Sequence, residues 1–221
     1  MKTQTAANSS RILAERAILA KSFAGRDVAP QPQMGSVLHF AQDREIFAEG
    51  MSAEYFYKVV SGVVRTCKFL VDGRRQIEAF HIADDIFGLE PGVEYRLSAE
   101  AVSDCTVIAY RKNNTDRTHS QDLLALAMQG MVRAQDHSLL LGRRGAMEKV
   151  AAFLLNWVEK THGHGTVCLA MTRQDIADYL GLTIETVSRT LSQLERDNVI
   201  DLPSTRQIRL RNLDVLEDLA A

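Results

Sequence analysis

Glu185, Ser188 and Arg189 combine residue types and spacing that could do chemistry on a nucleic acid. At i, i+3 and i+4 they are neighbours on one face of a helix. An Arg so placed donates two bonds to guanine O6 and N7. A Glu accepts from cytosine N4, and a Ser serves either role or meets a thymine methyl. The alternative is a solvated helix face with one Glu–Arg pair, worth about 0.2–0.5 kcal/mol. The surrounding steric pattern favours base readout.

That pattern is a helix-turn-helix in TRQDIADYLGLTIETVSRTLSQL, from Thr172 to Leu194. Thr172 is an N-cap residue with Asp175 three positions on, as in a capping box. A first helix from about Arg173 to Tyr179 would bury Ile176 and Ala177, with Leu180 beside them. Gly181 follows where a turn needs positive φ. Thr183 caps a second helix whose Val187, Leu191 and Leu194 face a core. Ala177 must be small because the helices cross closely there. Near the N-terminus of the second helix, the Glu185–Arg189 face would point into a major groove.

Beyond it, short apolar runs flank a turn at Pro203 to Thr205, and Ile208 and Leu210 alternate with Arg209 and Arg211. That is a hairpin, so the expected unit is a winged helix. Thr172, Arg173, Thr183, Thr186 and Arg206 are placed to contact phosphates. Such contacts fix register and supply salt-dependent affinity without reading sequence.

The elements upstream must hold this unit. From Gly35 to about Arg111, short alternating runs are separated by Glu49-Gly50, Ser61-Gly62 and Asp72-Gly73. Asp-Gly between apolar runs is a hairpin signal, and the whole suits an antiparallel jelly roll. Gln121 to Leu141 is the longest helical candidate. Leu123, Ala127, Met131, Ala134, Ser138 and Leu141 follow a 4-4-3-4-3 spacing, a coiled-coil-like stripe for a homodimer. A helix packed only on its own roll is the alternative, and Leu124, Met128 and Val132 widen the apolar face enough for both. Gly142 breaks the helix, Arg143–Gly145 forms a hinge, and AMEKVAAFLLNWVEK opens the next domain by burying Val150, Phe153, Leu154 and Trp157. The reading is α+β: a flexible segment 1–34, a roll 35–115, a dimerisation helix 116–142 and a winged helix 143–221.

Composition narrows the class. The 221 residues suit one or two domains, and no apolar run is long enough to span a bilayer. The N-terminus lacks the apolar stretch of a signal peptide, so a cytoplasmic protein is expected. The net charge of −2 does not advertise a nucleic-acid partner, and residues 172–221 hold six Arg against nine acidic residues. Placement of Arg173, Arg189 and Arg206 on one face therefore matters more than totals. Cys67, Cys105 and Cys168 have no metal-ligand spacing and read as buried small hydrophobes. His162 and His164 lie in a Gly-rich stretch without a third ligand and read as a solvated turn. There is no P-loop, nucleophile elbow or HExxH, so neither catalytic residues nor an enzyme are expected.

The same residues carry a family resemblance. LGLTIETVSRTLSQLE is similar to the recognition helix of the CRP/FNR superfamily of bacterial transcription regulators. MTRQDIADYLGLTIETVSR resembles its FixK-type branch. REIFAEG, YKVVSGVVR and DGRRQIEAFHIADDIFGLE resemble the jelly roll of those proteins. The resemblance implies a homodimer on a palindromic operator of double-stranded DNA, and an activator that touches RNA polymerase. It also implies a role in low-oxygen or nitrogen-fixation programmes. The cyclic-AMP receptor has an Arg at the helix position held here by Ile184. An apolar side chain there cannot take a guanine but can meet a thymine methyl. The resemblance therefore implies the TTGA-like half-sites of FNR-like regulators, TTGA-N6-TCAA, rather than the cyclic-AMP receptor's operator.

Two ligand types of the superfamily fit poorly. Cyclic nucleotide is held by a short helix after FGE and an adjacent Arg-Ser pair. Here IFGLEPGVEYRLS displaces Glu90, inserts Pro91 and Gly92, and separates Arg96 from Ser98, so a structural loop is the expectation. An iron–sulfur cluster needs four clustered thiolates, and the chain has three scattered ones. Thr172 stands where some FixK relatives carry a cysteine, leaving Cys168 as a weak substitute for a thiol switch. No cofactor or metal is expected. The alternative is a relative gated by haem, a nucleotide or another small molecule in the roll.

Overall fold

A computed structural model describes residues 35–112, 120–163 and 165–220, with the backbone alone for 120–123. Segment 1–34, the boundary at 115–116, His164 and the side chain of Leu123 lie outside the described residues.

Eight strands form two four-stranded antiparallel sheets. They are β1 (Ser36–Phe40), β2 (Glu45–Phe47), β3 (Tyr55–Ser61), β4 (Val64–Phe69), β5 (Arg75–His81), β6 (Ile86–Phe87), β7 (Ser98–Ala101) and β8 (Cys105–Arg111). The orders β1-β8-β3-β6 and β2-β7-β4-β5 interleave distant strands as a jelly roll does. In β8, buried Cys105, Val107 and Ala109 alternate with partly exposed neighbours, the period of a sheet with one covered face. The inner faces enclose stacked rings of Phe47, Tyr57, Phe87 and Tyr95. Gly62 turns β3 into β4 at φ 83°, and a Cβ there would stand 2.3 Å from the Asp104 carbonyl oxygen, so only glycine fits.

Val64 to Cys67 of β4 are all buried, against the simple alternation of β8. The reason is that the outer face of this sheet is also covered. Cys67, Ile77 and Phe80 share one apolar cluster with Trp157, Ile176 and Leu180 of the C-terminal half. Burial pushes the Cys67 thiol up to about 12 and the Cys105 thiol up to about 11, so both remain protonated. Cys168 departs from the expected burial: it is exposed, because β9 (Thr166–Cys168) turns its side chain outward while Val167 points in.

The roll continues into α1 (Ser120–Gly142), and Arg143–Gly145 leads to α2 (Ala146–Lys160). Helix α2 buries Val150, Phe153, Leu154 and Trp157. Then come β9, α3 (Arg173–Leu180), α4 (Ile184–Arg196), β10 (Ile200–Ser204), β11 (Gln207–Leu210) and α5 (Leu213–Ala220), which packs on α2. The wing has three strands in the order β10-β11-β9, one more than the hairpin legible in the sequence. Its turn lies at Thr205–Arg206 rather than from Pro203. Pro203 sits inside β10, where the register shifts between Asp201 and Ser204, an irregularity that tolerates its missing N–H.

Polar groups are buried where the roll meets the C-terminal half. Arg65 donates to Glu100 at 2.8 Å and to Asp175 at 3.1 Å. Arg75 donates to Asp178 at 2.8 Å and also to Asp175. Asp85 accepts from Arg133 of α1 and Lys160 of α2, each at 2.8 Å. His81 is buried, with Nε2 3.0 Å from the Thr66 hydroxyl, which donates to Glu78 at 2.8 Å. A hydroxyl has one proton, so Nε2 carries the imidazole hydrogen. Burial, then the nearby Lys160 charge, brings the His81 pKa down to about 3.

Candidate nucleic-acid interface

Helix α3 begins with a reciprocal cap. The Thr172 hydroxyl accepts from the Asp175 N–H at 3.1 Å, and Asp175 Oδ2 accepts from the Thr172 N–H at 2.9 Å. Asp175 Oδ2 also accepts the Thr172 hydroxyl proton at 2.8 Å. Burial alone would raise the Asp175 pKa, but these bonds and the two guanidiniums hold it below the usual range. Gly181 ends α3 in the left-handed region, φ 63° and ψ 38°. Ala177 is fully buried where α3 meets α4.

Helix α4 starts at Thr183, whose hydroxyl accepts from the Thr186 N–H at 3.2 Å. Val187, Leu191 and Leu194 are buried, with Thr190 beside them. The other face is therefore fixed outward. Ile184, Glu185 and Arg189 are exposed and Ser188 is half-buried. The four residues expected to read bases thus lie on one surface over the first two turns. Glu185 is held below the usual carboxylate range by its own backbone N–H, then by the Thr183 hydroxyl, and less by Arg189. It is an ionised acceptor. Among the described residues, Arg189 makes no hydrogen bond or ion pair, so its donors are uncommitted.

The expected phosphate contacts surround this face unequally. Thr183 is exposed and Thr186 half-buried, with hydroxyls 3.0 Å apart. Arg206 is exposed at the wing turn, where it donates to the Ala170 carbonyl at 3.1 Å and keeps other donors. Arg173 is half-buried, and its Nε has no partner in the described structure. Thr172 has spent its hydroxyl proton on Asp175, so it serves the interface by fixing the first turn of α3. Arg209 and Arg211 both face Asp201, which reduces the net charge of the wing. The sequence reading missed that Asp175 also receives Arg65 and Arg75, partners about a hundred residues away.

In the roll, residues 89–97 form no helix. Arg96 donates to Glu90 at 2.8 Å, so the cation and carboxylate that a nucleotide would need hold each other. Tyr95 stacks on Phe47 with centroids 3.7 Å apart and donates to the Tyr55 carbonyl at 2.7 Å.

Comparison with known proteins agrees with this geometry. Residues 37–122 match the cyclic nucleotide-binding domain family and residues 148–219 the Crp-like helix-turn-helix domain family. The chain is 48% identical over 197 residues to the nitrogen fixation regulation protein FixK of Azorhizobium caulinodans, covering 84% of this chain and 79% of that one. The chain belongs to the FixK-type branch of the CRP/FNR family of transcription regulators. It is 41% identical to FixK of Rhizobium meliloti, covering 87% and 92% of the two chains. The solved structure of FixK2 from Bradyrhizobium japonicum superposes with a TM-score of 0.80 at 44% identity, covering 86% of this chain and 98% of that one. The match to the Crp-like helix-turn-helix domain includes α3 and α4, so this unit is the DNA-binding element.

Helix α1 of this FixK-type chain carries the expected stripe in the open. Ala127, Met131, Ala134 and Ser138 are exposed, Met131 to 53%, and Leu124 on the adjoining face to 63%. Leu141 differs: it is half-buried and lies 3.7 Å from where a Gly181 Cβ would stand, at the turn of the helix-turn-helix.

Proposed function

We propose that two copies of the chain pair along α1 and bind a TTGA-N6-TCAA palindrome without a ligand in the roll. The observation that carries this reading is the face of α4. An uncommitted Arg189, an ionised Glu185, Ser188 and apolar Ile184 stand side by side on a helix capped at its start. Arg189 takes the guanine, Glu185 the complementary cytosine, and Ile184 a thymine methyl. Arg173, Thr183, Thr186 and Arg206 hold phosphates, and Thr172 keeps the first turn of α3 in place. Two-fold symmetry puts recognition helices into successive major grooves about 34 Å apart.

The division of labour is a roll over 35–115, a dimerisation helix over 116–142 and a winged helix over 143–221. Ala127, Met131, Ala134 and Ser138 form the pairing seam, which Leu123 and Leu141 extend. An exposed apolar helix of this length is covered in solution, and a second copy supplies a matching surface. The protein acts in the cytoplasm as an activator that contacts RNA polymerase. Among the described residues no helix is long and apolar enough to cross a membrane. The names of the two FixK relatives support a nitrogen-fixation programme, and a low-oxygen setting goes with it.

The test is a gel shift with the full chain and no added ligand, alongside sedimentation. Expected are a dimer and a shift of the palindrome that single-base changes in TTGA weaken by about 1–3 kcal/mol each. A chain that binds only after a small molecule is added would instead support the ligand-gated reading. An open cleft of about 380 Å³ among Asp85, Arg133, His137, Lys160 and Tyr179 lies outside the roll's interior, where the roll meets the helices, and Asp85 there already pairs with Arg133 and Lys160.

A further inference from the structure

We propose that Arg65 and Arg75 of the roll are positioning residues for DNA binding, acting through Asp175 and Asp178 to set the angle of the helix-turn-helix. The proposal rests on the reading that α4 binds a two-fold site. Asp175 is 2% exposed and works in two directions at once. Its Oδ2 closes the cap on Thr172, and its Oδ1 receives both arginines. Arg75 spans one turn of α3 to reach Asp178, and Arg65 is held from behind by Glu100 of β7.

The covalent link between the halves is only Arg143–Gly145. The apolar contact, Phe80 against Tyr179 and Trp157, tolerates sliding, while Lys160 on Asp85 holds α2 and His137 on the Tyr179 carbonyl holds only the end of α3. Guanidinium forks on carboxylates do not slide, because their bonds are directional and a buried carboxylate cannot be left without its partner. The cluster therefore selects one orientation of α3, and with it of α4, relative to α1. In a symmetric dimer that orientation fixes the distance between the recognition helices. Arg65 and Arg75 would thus govern which spacing of half-sites the protein accepts, without touching DNA.

The experiment compares the full-length wild type with Arg75→Glu, Asp178→Arg and the double exchange. Palindromes with spacers of six, seven and eight base pairs are used, and melting temperature is recorded. Each single variant is expected to bind the six-base-pair site roughly tenfold more weakly and to lose its preference over the other spacings. The double exchange restores both in part, because the pair with position 178 re-forms while Asp175 keeps Arg65 but loses its second guanidinium. Asp178→Asn, which leaves the Thr172 cap intact, serves if a charge reversal does not fold, and is expected to weaken the spacing preference. Unchanged spacing preference in every folded single variant, or a double exchange no better than the singles, would overturn the proposal. If the wild type shifts no palindrome, the palindrome reading fails by itself. Hydrogen exchange without DNA then still judges the latch: faster exchange of the 172–180 amides in Arg75→Glu supports it, and unchanged exchange rejects it.

Discussion

Two Glu–Arg neighbourhoods, one in each half of the chain, meet opposite fates. In the roll, Glu90 and Arg96 lie six residues apart in an irregular loop and close on each other at 2.8 Å. On α4, Glu185 and Arg189 have the ideal helical spacing yet form no ion pair within 4 Å. The helix start explains the contrast. Its free amides and the Thr183 hydroxyl draw Glu185 toward the N-terminus and away from Arg189. The same two residue types are thus satisfied internally in one place and left open in the other. Composition does not distinguish the two arrangements; the local backbone does.

Acid should separate the two regions most strongly. His81 is neutral in the folded roll, with a pKa near 3, and titrates near 6.5 when unfolded. Below pH 6.5 the unfolded chain takes up a proton that the folded chain refuses, so stability falls as pH drops. The loss is about 1.4 kcal/mol per pH unit until the folded pKa is reached. Asp175 and Asp85, both held low, add losses only below about pH 4, in the range where their unfolded carboxyls protonate. Urea unfolding at pH 7, 6 and 5 checks this. A His81→Gln chain that kept the slope between pH 6.5 and 5 would show that another group is responsible.

Thr183→Ala removes the cap that draws Glu185 away from Arg189. It should cost about 1 kcal/mol of stability, visible in thermal melting. It should also weaken operator binding beyond that, because Glu185 is then free to pair with Arg189. Unaltered DNA affinity would mean the cap is not what keeps Arg189 open. The smallest effect belongs to Arg96→Ala. Arg96 is three-quarters exposed, so its pair with Glu90 is worth about 0–1 kcal/mol. Operator affinity should stay the same, and a large loss would point to a working ligand site in the roll.

The α3–α4 unit was legible because its signals are local. Thr172 with Asp175, Gly181, Thr183, and the spacing of Val187, Leu191 and Leu194 each specify geometry within a turn or two. The glycine turns of the roll were legible for the same reason. Strand β9 was not, since three residues beside a Gly-rich stretch carry no periodicity, and its partner Ile208 lies some forty residues on. The turn assigned to Pro203 moved because proline at an irregular edge strand resembles proline in a turn. The exposure of Cys168 followed from β9 and was missed with it. The ion cluster was the least legible. Asp175 looked like a cap and nothing more, because Arg65 and Arg75 come near only when the roll and the winged helix are docked.

Arg189 is proposed to read a guanine in each half-site, and a double-mutant cycle across protein and DNA measures that contact. Wild type and Arg189→Ala are titrated, without ligand, against the TTGA-N6-TCAA palindrome and against the same duplex with both guanine positions replaced by adenine. Wild type is expected to lose about 1–3 kcal/mol per replaced guanine, whereas Arg189→Ala binds both duplexes weakly and nearly equally. An Arg189→Ala chain that still preferred the guanine-containing site as strongly as wild type would contradict that proposal.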